Sequence, residues 1–260
     1  MSGGPDTTRY DAGFYADQVE GSARAAAVVL PLVCGPLRPT RVLDVGCGQG
    51  AWLAEAARLG ATQLTGLDGP WVDTAALRPP RIAFHPTDLA APLPDHGRHD
   101  LVISVEVAEH LPAARADGFV ADLCRAGDVV LFSAAVPHQG GTEHVNEERT
   151  SRWAARFDAH GFDAFDVVRG AVWDDVRVAW WYRQNAVVYV ARSSAHHATF
   201  SALPQPVPRD LVHPEAFEAK VSWLEADRAR LAAQIARPTL RQAIGALRRA
   251  LWRALGGGAR

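Results

Sequence analysis

The ten residues Arg41-Val-Leu-Asp-Val-Gly-Cys-Gly-Gln-Gly50 constrain the fold more than any other stretch of this chain. A short β-branched run stops at a glycine cluster, and the segment after it, Ala51 to Leu59, is helical in composition. Gly46, Gly48 and Gly50 let the backbone turn tightly and approach a ligand with no Cβ in the way. A strand, a glycine turn and a helix in that order place a ligand at the carboxyl end of the strand, near the switch point of an open α/β sheet.

The rest of the chain repeats the alternation. Residues 14–33 read as a helix ending near Pro36. Strands are expected at Gln63–Leu67, Arg81–Phe84, Asp100–Val105, Asp128–Ser133, Phe162–Val168 and Asn185–Ala191, with helices at Ala113–Arg125 and Glu147–His160. Apolar strands between helices predict a mostly parallel sheet covered on both faces. Residues 1–195 form one such domain, 196–214 a proline-rich linker and 215–260 a helical extension in which Pro238 separates two helices.

Composition narrows the class. The chain has 260 residues, 48% hydrophobic and 22% charged, which excludes a disordered tail or a disulfide miniprotein. The net charge of −2 gives no global reason to bind nucleic acid. Cys34, Cys47 and Cys124 are odd in number and widely spaced, as in a reducing compartment. No basic region followed by an apolar stretch opens the chain, so a cytoplasmic protein is expected.

Two cofactor classes compete for the glycine loop. Read as Gly46-x-Gly48-x-x-Ala51, it loosely fits a dinucleotide fingerprint. Read as Asp44-x-Gly46-x-Gly48-x-Gly50, it fits an S-adenosylmethionine loop. Asp44 separates them, because a carboxylate suits the ammonium of a methionine moiety and repels a pyrophosphate. Asp68 ends the second strand, where an acid accepts hydrogen bonds from ribose hydroxyls in either class. Asp88, followed by Leu89, ends the next unit, where it suits an adenine amino group or, more plainly, caps a turn.

Asp44 to Gly50, Asp68, Asp88-Leu89 and the tract Asp100-Leu-Val-Ile-Ser-Val-Glu-Val-Ala-Glu-His-Leu-Pro112, in that order, resemble the class I S-adenosylmethionine-dependent methyltransferases. The tracts Phe132 to Glu147 and Trp181 to Asn185 resemble bacterial members associated with sugar, cell-surface-glycan and natural-product pathways. The resemblance implies a Rossmann-like, doubly wound, seven-stranded sheet with its last strand antiparallel. It implies that Asp44, Gly46, Cys47, Gly48 and Gly50 hold the methionine end, Asp68 the ribose, and Asp88 with Leu89 the adenine. Ser104 to Glu106 then lie beneath the sulfonium, and Tyr15, Gln18 and Ser22 cap the site from the N-terminal helix.

Methyl transfer gains chiefly from aligning acceptor, methyl and sulfur. A hydroxyl acceptor also needs its proton removed, by a base or by a metal that lowers its pKa. A histidine-rich loop, His138 to His144, therefore points to O-methylation of a small molecule, with N- or C-methylation as the alternative and a non-catalytic cofactor-binding module as a remote one. His138, His110, His144 and Glu109 are the candidate catalytic groups. Trp173, Trp180, Trp181 and Tyr182 would stack on a sugar or fill a core, and Arg183 and Asn185 would position polar substituents. Glu106, Glu109, His110 and His144 resemble the two-glutamate, two-histidine set of the metal-dependent methyltransferases of ubiquinone synthesis and small-RNA 2′-O-methylation. Such a set accepts Mg²⁺, Mn²⁺ or Zn²⁺ without choosing among them. Residues 238–256 form a basic amphipathic pattern suited to a membrane surface, to a second subunit or to the chain's own domain.

Overall fold

Both faces of the central strands are apolar, and both are covered. The computed structural model describes residues 12–77, 81–203, 211–236 and 240–254. Seven strands, β1 (Arg41–Val45), β2 (Gln63–Asp68), β3 (Ala83–Pro86), β4 (Leu101–Val105), β5 (Val129–Ser133), β6 (Phe162–Phe165) and β7 (Val187–Ala191), pair in the order β3-β2-β1-β4-β5-β7-β6. The first five run parallel, and β7 lies antiparallel to both β5 and β6. This is the doubly wound sheet expected from the sequence.

Successive β4 residues show how the layers form. Leu101, Ile103 and Val105 join the core beneath α1 (Ala12–Leu37) and α2 (Ala51–Arg58). Val102 between them points to the opposite core, filled by Phe119, Leu123, Trp153 and Phe157 of α3 (Ala116–Ala126) and α4 (Thr150–Ala159). The strand order reverses between β1 and β4, which opens a crevice at their carboxyl ends.

Several boundaries differ from the sequence reading, each for a physical reason. β3 starts at Ala83 rather than Arg81, because this edge strand pairs only with Thr65 to Asp68 of β2. The helix expected over 113–125 begins as a separate 3₁₀ turn at Ala113–Arg115 after Pro112. β7 starts at Val187 because Trp180–Asn185 winds into a helix, α6, held by Arg169 of the short helix α5 (Arg169–Val172) donating from its guanidinium to the Gln184 carbonyl and by Arg183 donating to the Trp173 carbonyl. Arg183 is thus buried in this turn and does not face an acceptor.

Two described residues of the stretch expected as a linker, 196–214, are packed into the fold. α7 (His197–Ser201) buries Phe200 against Phe165, and His213 is buried with its N–H donated to the Gln184 side chain. Residues 204–210 lie outside the described residues. The chain divides into a unit of residues 1–213 and a second of 214–260, the latter carrying α8 (Pro214–Ala236) and α9 (Leu240–Ala254).

One buried ion pair fastens the segment after β3, which carries Asp88 and Leu89, to α3. Asp122 accepts from the Leu93 N–H and from Arg115 and Arg125, while Arg115 also donates to the Leu89 carbonyl. Burial alone would raise the Asp122 pKa, but the Leu93 N–H and the two guanidinium groups hold it below its usual value. Asp122→Ala is expected to cost about 3–5 kcal/mol, because it leaves the Arg115 charge buried and unpaired. The depressed pKa means this stability is present above the ordinary carboxylate pKa and is lost as pH falls below it. Chemical denaturation at pH 7 and pH 3 measures both effects, and the mutant's deficit should shrink at the lower pH.

Candidate functional site

The crevice between β1 and β4 collects most of the residues singled out from the sequence. β1 delivers Asp44 to its floor, 1% exposed, with one carboxyl oxygen lacking any hydrogen-bond partner. Burial, and then the neighbouring Asp68, raise the Asp44 pKa well above the usual carboxylate range. An acid in that state wants a cation or a donor. Beyond it the chain turns through Gly46, Gly48 and Gly50, at φ of 83°, 49° and 79°. Gly46 has a second constraint: a Cβ there would sit 2.3 Å from a methyl of Val107, so only glycine lets the turn after β4 close against the turn after β1.

The amides of this loop decide between the two cofactor classes. Gly46 and Cys47 donate to the Leu67 carbonyl, Gly48 to the Asp68 carboxylate and Gly50 to the Cys47 carbonyl. A pyrophosphate is held by free N–H groups at such a turn, and here those four are spent on fixing the turn itself. Cys47 presents backbone only, since its buried thiol packs on Gly66, and burial with Asp44 and Asp68 pushes the thiol pKa upward.

Asp68 ends β2 with its two oxygens accepting from Gly48 and Gly69, at 2.7 Å each. Burial raises its pKa, against the pull of these two N–H groups. Each oxygen keeps a further acceptor position. Trp71 lies over Gly69, where an added Cβ would come 2.1 Å from the indole, and the ring is 77% exposed. The sequence reading missed this exposed ring beside Asp68; a tryptophan in a loop three residues past a strand carries no signal of its own. Asp88 is exposed and accepts the Ala90 N–H, which is its turn-capping role. Leu89 packs partly buried against the core.

The other wall is built by β4 and the loops beside it. Glu106 leaves β4 with φ of 54°, its N–H on Ser133. A non-glycine residue held there marks a site where surrounding structure overrides backbone preference. Its carboxylate accepts from the Gln139 and Asn185 amides at 3.1 and 3.2 Å, and Asn185 also donates to Gln139 at 2.9 Å. Asn185, on α6, therefore does face the crevice. Tyr182, on the same helix, is buried with its hydroxyl 3.4 Å from that of Ser22 on α1, and its pKa is pushed up to about 12 by burial, with Glu106 and Glu109 adding to the rise. The side chains of Tyr15 and Gln18 lie outside the described residues.

Glu109, His110 and His144 converge, each offering one ligand atom within 4.8 Å of the others. Glu109 is fully buried, and neither carboxyl oxygen has a hydrogen-bond partner. The His110 and His144 rings meet edge to face at 4.9 Å. Burial, and then His144, lower the His110 pKa, which favours the uncharged imidazole. Glu106, expected as a fourth member, is outside this set, its oxygens held by the two amides.

His138 is outside it as well: its side chain is exposed, and the residue is tied down through its N–H. The group that organises the loop is Glu147, which the sequence reading placed at the start of a helix. It accepts from the His138 and Gly140 N–H groups and meets His144 Nδ1 at 3.1 Å. A carboxylate on Nδ1 fixes the orientation of the ring, as second partners of metal-binding histidines do.

A family profile described as a methyltransferase domain matches residues 20–167. The chain belongs to this family. Its fold is that of S-adenosylmethionine-dependent methyltransferases, as similar solved structures agree. An O-methyltransferase family protein from Burkholderia thailandensis is 17% identical, with a TM-score of 0.56 over 73% of this chain; the chain spans 61% of that protein's length. The sugar N-methyltransferase of a Streptoalloteichus species is 16% identical, with a TM-score of 0.54 over 74% of this chain and 99% of that one. An amino pentose methyltransferase from Micromonospora echinaspora, solved with S-adenosylmethionine bound, is 16% identical, with a TM-score of 0.52 over 70% and 97%. No curated protein matches the chain.

The methyltransferase holds Glu109 in a costly state, and this has a measurable consequence. Burial, and then Glu106, push its pKa up to about 10. The folded state thus keeps a proton that the unfolded chain releases near 4.5, and stability falls as pH rises between these values. In chelator, melting temperatures should decline from pH 5 to pH 9, and Glu109→Gln, which mimics the protonated acid, should decline less. Equal slopes would contradict the raised pKa.

Proposed function

We propose that this methyltransferase transfers a methyl group from S-adenosylmethionine to a hydroxyl of a sugar or natural-product small molecule. The observation that carries the donor assignment is the unpaired, buried Asp44 oxygen beneath a glycine turn whose amides are already spent. Such a floor fits the ammonium of a methionine moiety, and Asp68 fits the ribose hydroxyls. Trp71 offers a flat apolar face beside that acid. S-adenosylmethionine brings an electrophilic methyl group when bound, and the protein's work is alignment and proton removal.

Glu109, His110 and His144 support a hydroxyl acceptor. A buried acid without partners, facing two imidazoles, one of them with a lowered pKa, fits a divalent cation such as Mg²⁺, Mn²⁺ or Zn²⁺. A cation held there lowers the pKa of an acceptor hydroxyl. Glu147 would orient His144, and the Gln139–Asn185 pair would hold the Glu106 carboxylate in place at the edge of the acceptor space. His138, exposed, serves the loop backbone and not the proton.

Two measurements test these assignments. Asp68→Ala should weaken S-adenosylmethionine binding by about 1–3 kcal/mol in calorimetry, as for loss of a hydrogen-bonded charged group; unchanged affinity would remove the ribose assignment. Excess chelator and His144→Ala should each abolish turnover with sugar or polyol acceptors and leave donor affinity intact, while His138→Ala stays near wild type. Full turnover in chelator, with no metal retained by the purified protein, would discard the cation and leave His110 as the base.

A further inference from the structure

Outside the crevice, the charge of this chain is divided unevenly. After Asp227 there are eight arginines and no acidic residue, so the net −2 separates into +8 over residues 228–260 and −10 over residues 1–227. Within that basic tail, α9 keeps its apolar residues on one side. At 3.6 residues per turn, Ile244, Leu247 and Leu251 fall within an arc of about 60°, and they are 49%, 61% and 52% exposed. Arg248 and Arg249 lie outside this arc, and Trp252, 63% exposed, lies between them around the helix.

We propose that α9 lies flat on an anionic phospholipid bilayer, with Ile244, Leu247 and Leu251 at the acyl boundary and the arginines among the headgroups. Three features fix this occupant. A helix with a narrow apolar arc, low total apolarity and an all-basic remainder is the kind that binds in the plane of an anionic interface. Trp252 stands between Arg248 and Arg249 around the helix, where amphipathic rings favour headgroup depth. Among the described residues no helix is long and apolar enough to cross a membrane, so α9 rests on the surface and does not span it. The preceding helix, α8, makes a useful contrast: it also exposes Trp223 and Leu224, but it mixes Glu215, Glu218, Glu225 and Asp227 with its basic residues and lacks the charge complementarity.

The full-length protein should sediment with vesicles of equimolar phosphatidylcholine and phosphatidylglycerol at low salt. It should stay in solution with phosphatidylcholine alone and be released at high salt, since surface charges are screened there. Each arginine near an anionic surface contributes about fivefold in affinity. Arg248→Gln/Arg249→Gln should therefore weaken binding about 25-fold, and Leu247→Glu/Leu251→Glu should abolish it, with S-adenosylmethionine affinity unchanged in both. The proposal is overturned if the wild type ignores anionic vesicles, if it binds neutral and anionic vesicles alike, or if the glutamine variant binds within twofold of wild type. Sedimentation velocity supplies a further overturning outcome: a dimer that disperses on Leu247→Glu/Leu251→Glu and does not bind vesicles would seat a second copy on α9 instead.

Discussion

The site depends on one close approach. The turn after β1 and the turn after β4 meet at Gly46 and Val107, with no room for even a methyl group between them. That contact sets the width of the crevice where the strand order reverses. It brings Asp44 and Asp68, on β1 and at the end of β2, against Glu106 to His110, in the turn that leaves β4. The left-handed φ values of Gly46 and Glu106 on either side of the gap are the backbone consequence. A site built on strand ends holds its groups to the tolerance that methyl alignment needs.

On both sides of that gap a buried carboxyl group keeps at least one oxygen without a hydrogen-bond partner. Asp44 and Glu109 are each nearly or fully inaccessible, each with an oxygen that donates to or accepts from nothing, and each with a pKa raised chiefly by burial. Such groups cost stability in the free protein. A fold retains two of them where bound ligands supply the missing partners. The carboxylates that shape the site are treated differently: Glu106 and Glu147 are held by side-chain amides or by backbone N–H groups. Asp68 stands between the two kinds, its oxygens bonded to Gly48 and Gly69 and each with an acceptor position left.

Much of this was legible in the sequence, because strand ends and glycine turns are local. The run Arg41 to Gly50 specified β1, its turn and α2, and the apolar run after Asp100 specified β4 and the acids beyond it. What was not legible depended on distant partners. Asn185 was read as the start of a strand, yet Trp180 to Asn185 is a helix tied to distant residues: Arg169 donates to its Gln184 carbonyl, and its own Arg183 donates to the Trp173 carbonyl. The proline-rich stretch before α8 looked like a linker, yet Phe200 and His213 are buried. His138 and His144 are equivalent in composition, and only the fold separates them.

That separation rests on Glu147. The loop from His138 to Glu147 has little regular structure of its own, and three bonds to one carboxylate close it into a ring: two backbone N–H groups from its start and an imidazole nitrogen from its end. With His138 tied by its N–H, its side chain turns out to solvent, while His144, tied by Nδ1, meets the ring of His110. Gly141 completes the arrangement, since a Cβ there would fall 2.3 Å from His144 Nε2. The ring can therefore occupy its position only beside a glycine, and it is held at its other nitrogen by an acid. Two constraints on a single imidazole, one steric and one from a carboxylate, make His144 the positioned member of the loop and set it beside Glu109 and His110.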